Sequence, residues 1–371
     1  MGIDAKNISI SVCTICMNRL HHIKETLPKN IQDNLDYPDV NFVLLDYSST
    51  DGLHIWIKEN MYDHLQSGKL IYYRYDHAIA FHRSHSRNLA FKAAPGEVIC
   101  NVDADNYTGQ GFAKYINAQF TNNRNIFLTT IDFFGTNKGY RVPRDVMGRI
   151  CVNKDAFLKV QGFDERMINY GFEDYDLTNR IEMLGSKRVL IQGEEFLKFI
   201  EHSDDGRYSM DTKNINISSL YVCYINPWES IILILFENHS FGLSGIIDKT
   251  TIDADDVLYA YTKRKLLFQH YLKDNKWHRG TWYIKSPTKI NLEFDEGKSK
   301  VLNTQGDTIV DPENNTFYLI RDESLINWVS VFHIAIENRI IMEENLLKKT
   351  IAVNNGGFGM GKMIRNFSQL C

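Results

Sequence analysis

Residues 97–105 read Glu97-Val98-Ile99-Cys100-Asn101-Val102-Asp103-Ala104-Asp105, an apolar strand that closes on two carboxylates two residues apart. Pro95-Gly96 stops the preceding helical pattern, so the strand starts abruptly and runs through hydrophobic positions without alternation. A strand of that kind is buried on both faces, as in a parallel sheet covered by helices. In open α/β sheets ligands sit beyond the carboxyl ends of the strands, which makes Asp103 and Asp105 the first site candidates.

The same rhythm extends in both directions. Residues 8–15 read as a first strand, 19–34 as a helix, 41–45 as a second strand, 49–66 as a helix with Ser, Thr and Asp at its start, and 70–75 as a third strand. A helix ending at Lys92 then leads into the strand quoted above. The alternation predicts an α/β domain with a mostly parallel, Rossmann-like sheet over residues 1–205. Near residue 206 the βα rhythm stops. Strand-like runs at 281–284, 289–294 and 315–320 then alternate with helical patterns at 253–273 and 323–348, which predicts a smaller mixed α+β C-terminal domain over residues 206–371.

Composition excludes several classes. The chain has 371 residues, 43% of them hydrophobic and 24% charged, with 23 Gly and 7 Pro, values of a chain that folds throughout. A net charge of −4 from 42 basic and 46 acidic residues gives no global positive field for a phosphate backbone, so no nucleic-acid partner is expected. The longest apolar run, residues 231–236, is far below the roughly 20 residues of a membrane helix, and residues 1–6 are followed at once by a strand rather than a signal-peptide core. No integral membrane segment is expected. Six scattered cysteines suit a reducing compartment, and the chain reads as cytoplasmic, at most peripheral at the inner face of a membrane. Cys13 and Cys16 spell C-x-x-C without a second pair, and read as small residues at a strand end rather than as a zinc or redox site.

Three clusters carry chemistry. Asp103 and Asp105 can lean toward one divalent cation bound to phosphate oxygens. The same tripeptide recurs at Asp253-Ala254-Asp255, but there it opens a helical pattern and is explained by capping and the helix dipole. The second cluster is Gly162-Phe163-Asp164-Glu165 followed by Tyr170-Gly171-Phe172-Glu173-Asp174-Tyr175-Asp176. Its acids open an amphipathic helix, where they complement the dipole or present a carboxylate as a general base; spacing alone does not choose. The third is His202, which ends an apolar run at the domain edge.

The order of these pieces resembles the inverting family 2 glycosyltransferases of GT-A fold. The carriers are Cys16-Met17-Asn18-Arg19 after the first strand, Asp46-Tyr47-Ser48-Ser49-Thr50-Asp51-Gly52 after the second, Ser86-Arg87-Asn88, and the Asp103/Asp105 pair. The 162–176 segment and His202-Ser203 look further like the Golgi β-galactosyltransferases and the chondroitin-polymerase-like bacterial enzymes, so that the resemblance covers residues 8–205. It implies a hexosyltransferase that moves a hexose or N-acetylhexosamine from a UDP-sugar donor to a saccharide or lipid-linked saccharide acceptor. Asp105 and His202 would bind Mn²⁺, or Mg²⁺, with Asp103 beside them and nearer the ribose. Asp174 would be the base and Glu173 would hold sugar hydroxyls. Thr14, Asn18, Arg19, Asp46 and Arg87 would line the donor, and Tyr170 and Phe172 are candidates for sugar stacking. Two departures stand out: Asp46-Tyr47-Ser48-Ser49 lacks the family's second acid, and Phe199 occupies the position of a metal-binding Met in the galactosyltransferase branch. The rival readings are a metal-dependent phosphoryl-transfer or hydrolytic enzyme and a UDP-sugar-binding module without turnover.

Beyond residue 206 the tryptophans Trp228, Trp277, Trp282 and Trp328 read as core. The glycine-rich stretch at 354–362 reads as a mobile tail, because no strand-turn-helix context supports a phosphate loop.

Overall fold

The computed structural model describes residues 7–132, 140, 142–168, 170–201, 216–248, 270–367 and 369–370. It divides into two units, Met1–Ser203 with Ile341–Cys371, and Asp204–Ile340.

The first unit is built on a nine-stranded sheet. Its first four strands in chain order are β1 (Ile10–Cys16), β2 (Val40–Tyr47), β3 (Leu70–Tyr75) and β4 (Val98–Asn101). These are followed by β5 (Ile126–Thr129), β6 (Ile150–Asn153) and β7 (Lys187–Leu190). The spatial order is β3-β2-β1-β4-β6-β5-β7, extended beyond β3 by two short strands near the C-terminus, β17 (Ile364–Arg365) and β18 (Gln369–Leu370). β1 pairs in parallel with both β2 and β4, so the strand order reverses at β1/β4. That reversal opens a crevice at the carboxyl ends of β1 and β4. Every residue of β1 and β4 is buried, which explains why these strands are apolar without alternation.

Helices α1 (Leu20–Gln32), α2 (Leu53–Asn60), α3 (Tyr62–Gln66), α4 (Arg83–Ala93), α5 (Phe112–Asn122), α6 (Lys154–Lys159) and α7 (Glu173–Met183) connect the strands. The single helix expected over 49–66 is two, because it starts only after Gly52 in the left-handed region (φ 89°) and breaks at Met61. Asp51 is used instead as a cap across the crevice: its Oδ2 accepts the Leu20 amide at 2.7 Å at the start of α1.

The second unit is a closed antiparallel barrel. Its strands are β8 (Ile217–Asn226), β9 (Glu229–Phe236), β10 (Ser240–Asp248), β11 (His270–Leu272), β12 (His278–Ser286), β13 (Lys289–Phe294), β14 (Ser299–Gln305), β15 (Thr308–Val310) and β16 (Thr316–Ile320). β8 pairs with β9, β9 with β10, β10 with β12, and β12 to β16 pair in turn before β16 returns to β8, which closes the ring, while the short β11 pairs with β10 alone among the described residues. β9 is apolar on both faces for a reason: Leu233 and Leu235 join a cluster with Phe241, Leu292 and Phe317, while Ile232 and Ile234 join another with Trp328 and Phe332 of the long helix α8 (Glu323–Leu347). Strands therefore dominate where a mixed domain was expected. The helical pattern at 253–273 falls mostly outside the described residues, and its end, 270–272, is strand β11. Trp277 and Trp328 are buried and Trp282 donates to the Phe236 carbonyl, as core residues do, whereas Trp228 is 53% exposed. Among the described residues no helix is long and apolar enough to cross a membrane.

The glycine-rich stretch is not a free tail. Asn354 Nδ2 donates to the carbonyls of Gln161 and Phe163, both at 2.7 Å, and its Oδ1 accepts the Glu165 amide. Lys92 of α4 donates to the Phe358 carbonyl at 2.6 Å, and Gly359, at φ 52°, lies so close to Asn88 that a Cβ would meet its backbone at 2.8 Å. β17 then pairs with β3, and Phe367 stacks on Tyr72. Residues 341–371 thus belong with the N-terminal unit, because their partners are the 161–165 turn, α4 and an open sheet edge. Phe358, 6% exposed, packs its ring on Phe157 and under Lys92. Phe358→Ala is expected to lower stability by about 3–5 kcal/mol. Chemical denaturation of the full chain measures it.

Candidate active site

The site forms around one guanidinium. Arg87 lies on α4, buried, with Nη1 donating to Glu173 Oε1 at 3.0 Å and Asp174 Oδ1 at 2.9 Å, and Nη2 donating to Asp103 Oδ1 at 3.3 Å. Three acids from two distant stretches of sequence thereby meet on one planar fork, the geometry that arginine matches best. Burial by itself would weaken Arg87's hold on its proton, but Asp174, Asp103 and Glu173 together raise its pKa above the ordinary value.

Each acid is delivered by local structure. Asp103 follows β4, and Asn101 Nδ2 holds both its Oδ1, at 3.0 Å, and the Gly148 carbonyl, at 2.9 Å. Glu173 and Asp174 open α7 directly after two consecutive left-handed residues, Gly171 (φ 93°) and Phe172 (φ 68°), a sharp elbow that turns the first helical residues into the crevice. The helix behind them is locked by the buried Asp176–Arg180 pair at 2.7 Å and by Asn345, which donates to Asp176 at 2.8 Å and Asp164 at 3.0 Å.

The electrostatics separate the acids. Burial, incompletely offset by Arg87 and reinforced by Glu173 and Asp103, pushes the Asp174 carboxyl up to about 8. Glu173 has one oxygen on Arg87, while the other, Oε2, is buried without a hydrogen-bond partner among the described residues. A buried lone acceptor of that kind is costly unless something donates to it.

Gly148 is the residue that sequence reasoning missed. A Cβ there would lie 2.7 Å from Asp103 Oδ2, 3.1 Å from Arg87 Nη2 and 3.3 Å from Asp174 Oδ2, so a glycine lets the turn leading into β6 approach the acids. A lone glycine between Met147 and Arg149 carries no signal of this. Gly148→Ala is expected to cut activity by about a hundredfold through displacement of Asp103. Its melting temperature and steady-state rates measure this directly.

The remaining sequence-assigned residues are distributed as follows. Asp105 lies two residues past Asp103, with its carbonyl accepting the Ile200 amide at 2.8 Å, so the segment leading to Glu201 runs beside it. His202 lies outside the described residues. Asp46 is fully buried, its Oδ1 taking the Ser49 amide and its Oδ2 taking Tyr72 Oη at 2.7 Å and Arg74 at 3.0 Å. Its carboxylate therefore supports Arg74 and Tyr72 instead of standing open to a base. Arg87, assigned to the nucleotide from sequence, is taken up by the acids. Asn18, at φ 54°, accepts the Thr50 amide and ties the loops after β1 and β2 together. The backbone carbonyl of Arg19 accepts the His22 and Ile23 amides as α1 begins, and Thr14 is buried within β1. Phe172 is 8% exposed and is core, while Tyr170 lies under the Arg83 guanidinium, 4.8 Å from its ring centre.

Among the described residues no three metal-binding side chains cluster. The donors that do stand at the crevice, Asp103 and Asp105, are hard carboxylate oxygens, and Asp103 is 34% exposed. That set fits a divalent cation of the Mg²⁺ or Mn²⁺ type, which binds through one or two carboxylates and completes its shell with substrate phosphate and water.

No curated protein matches the chain. Among solved structures, the mannosyltransferase PcManGT from Pyrobaculum calidifontis, in complex with GDP-Man and Mn²⁺, is similar at 17% identity and a TM-score of 0.45, covering 55% of this chain and 60% of that one. TarS 1-349 from S. aureus in complex with UDP is similar at 17% identity and a TM-score of 0.42, covering 55% and 63%. This chain thus spans less than two thirds of either. Residues 11–180, from β1 through most of α7, match the family model described as Glycosyl transferase family 2.

Proposed function

We propose that the protein is a metal-dependent, inverting glycosyltransferase that moves a hexose or N-acetylhexosamine from a UDP-sugar to a saccharide acceptor. The observation that carries this is the meeting of Asp103, Glu173 and Asp174 on Arg87 at the carboxyl end of β4, within a segment that matches family 2. Metal dependence, the uridine base and the sugar class are the proposal's own content.

Asp174 receives the acceptor hydroxyl proton as that oxygen attacks the anomeric carbon, a single displacement that converts an α-linked donor into a β-linked product. A carboxyl raised to about 8 is a stronger base than an ordinary aspartate once ionised. Arg87 holds Asp174 and Glu173 in register. Glu173 keeps Oε2 for a sugar hydroxyl, a donor that this buried oxygen lacks among the described residues. Asp103 serves the ribose side, and Asp46 acts on the donor only indirectly, through Tyr72 and Arg74. Asp105 and His202, with Asp103 beside them, would hold a divalent cation, which when bound would neutralise charge on the departing diphosphate. Thr14, Asn18 and Arg19 shape the wall at the end of β1.

Release of UDP measured with and without a saccharide acceptor, and with and without Mn²⁺, tests the reading. Release that requires both supports it. Hydrolysis without acceptor favours a phosphoryl-transfer or hydrolytic enzyme, and UDP-sugar binding without turnover favours a binding module.

A further inference from the structure

Behind the acid pair stands a fully buried cation, Arg149, with no carboxylate partner among the described residues. Its Nη2 donates to Asn106 Oδ1 at 3.2 Å and to the Tyr107 carbonyl at 2.9 Å, while Nε and Nη1 have no hydrogen-bond partner among the described residues. Burying a guanidinium on two neutral acceptors is expensive, so the arrangement calls for a reason beyond packing.

Asn106, itself fully buried, carries the connection forward. Its Nδ2 donates to Asp105 Oδ1 at 3.0 Å and to the Asp145 carbonyl at 3.0 Å. Two partners settle which way this amide points. Arg149 has only donors and so claims the oxygen, and the Asp145 carbonyl is only an acceptor and so claims the nitrogen. The nitrogen is thereby presented to Asp105. The Asn106 backbone is held as well, with its amide on the Asp103 carbonyl at 2.9 Å and its carbonyl receiving Asn30 Nδ2 at 3.0 Å.

We propose that Arg149 and Asn106 are positioning residues for Asp105: Arg149 fixes the Asn106 amide, and that amide fixes one Asp105 oxygen so that the carboxylate meets a divalent cation in a single orientation. The proposal rests on the reading of Asp105 as a cation ligand. Hydrogen-bonding partners that orient a ligating group commonly change metal affinity by about 10–100-fold when removed.

The test is Mn²⁺ binding in the presence of UDP, read by the electron paramagnetic resonance signal of free Mn²⁺, for wild type, Asp105→Asn, Asn106→Leu, Arg149→Lys and the Asp105→Asn/Asn106→Leu pair. Thermal melting in EDTA checks each fold. Asn106→Leu is expected to weaken Mn²⁺ binding about tenfold or more and to raise the Mn²⁺ concentration for half-maximal rate far more than it lowers kcat. Arg149→Lys keeps the charge but not the fork, and should weaken binding in the same direction. The Asn106→Leu effect should vanish in the Asp105→Asn background, because a relay has nothing left to orient. Folded Asn106→Leu and Arg149→Lys proteins with wild-type Mn²⁺ affinity, beside a weakened Asp105→Asn, would overturn the relay and leave the cation reading standing. Wild-type affinity in Asp105→Asn would overturn both. If Asn106→Leu does not fold, Arg149→Lys decides: a lowered melting temperature with unchanged Mn²⁺ affinity reduces Arg149 to a structural role.

Discussion

Asp174→Asn is expected to bind the UDP-sugar as the wild type does and to transfer the sugar at least about a hundredfold more slowly. The substitution keeps shape and one oxygen acceptor toward Arg87, 2.9 Å away, and removes only the capacity to take a proton. Glu173→Gln is the matched control. It also borders Arg87, at 3.0 Å, but its second oxygen is a buried acceptor without a partner among the described residues, so its loss should appear mainly in sugar affinity. Isothermal titration with the donor, together with single-turnover rates, separates the two. Equal losses of rate and binding in both variants would remove the distinction between base and hydroxyl holder, and an α-linked product from an α-donor, read by NMR, would remove the inverting mechanism.

The second large effect belongs to Arg87. Arg87→Met leaves Asp103, Glu173 and Asp174 without the cation that bridges them, and losing one side of a buried charge cluster costs about 3–5 kcal/mol. The loss depends on pH with a definite sign. In the ligand-free wild type Asp174 keeps its proton up to about 8, whereas in the unfolded chain an aspartate releases it near 4. Between those limits the folded state binds more protons, so this group's contribution to stability declines as pH rises. Without Arg87, which lowers the Asp174 carboxyl, that group is held higher still and the decline should steepen. Urea unfolding from pH 4.5 to 8.5 measures this, and parallel curves for the two proteins would mean that Arg87 does not compensate the acids.

Much of the first unit was legible in advance for a local reason. Buried parallel strands are apolar without alternation, helices repeat at their own period, and ligands gather where such strands end. Those rules located β1 to β4 and picked out Asp103, whereas Glu173 and Asp174 drew their roles from the family resemblance, since spacing alone does not separate a cap from a base. They failed where partners are remote. The stretch at 354–362 looks like a mobile tail because its glycines are read without the surfaces they touch; Gly359 is small because Asn88 is beside it, 271 positions upstream. Asp46 looked like a ligand because it ends a strand, and the Arg74 and Tyr72 that occupy it sit on the neighbouring strand.

By itself, then, the sequence determined the layered α/β plan of residues 1–205, the strand ends where chemistry concentrates, and the residue types available there. These depend on hydrophobic period and turn residues within a few positions, information that local order contains. Tertiary structure alone decided that Arg87 serves the acids, that Gly148 must be small, that the last thirty residues close over the 161–165 turn and α4, and that the strands after residue 216 shut into a barrel. Each of these rests on contacts between residues far apart in the chain. Such contacts are selected by burial, shape and charge compensation, which no window of sequence expresses.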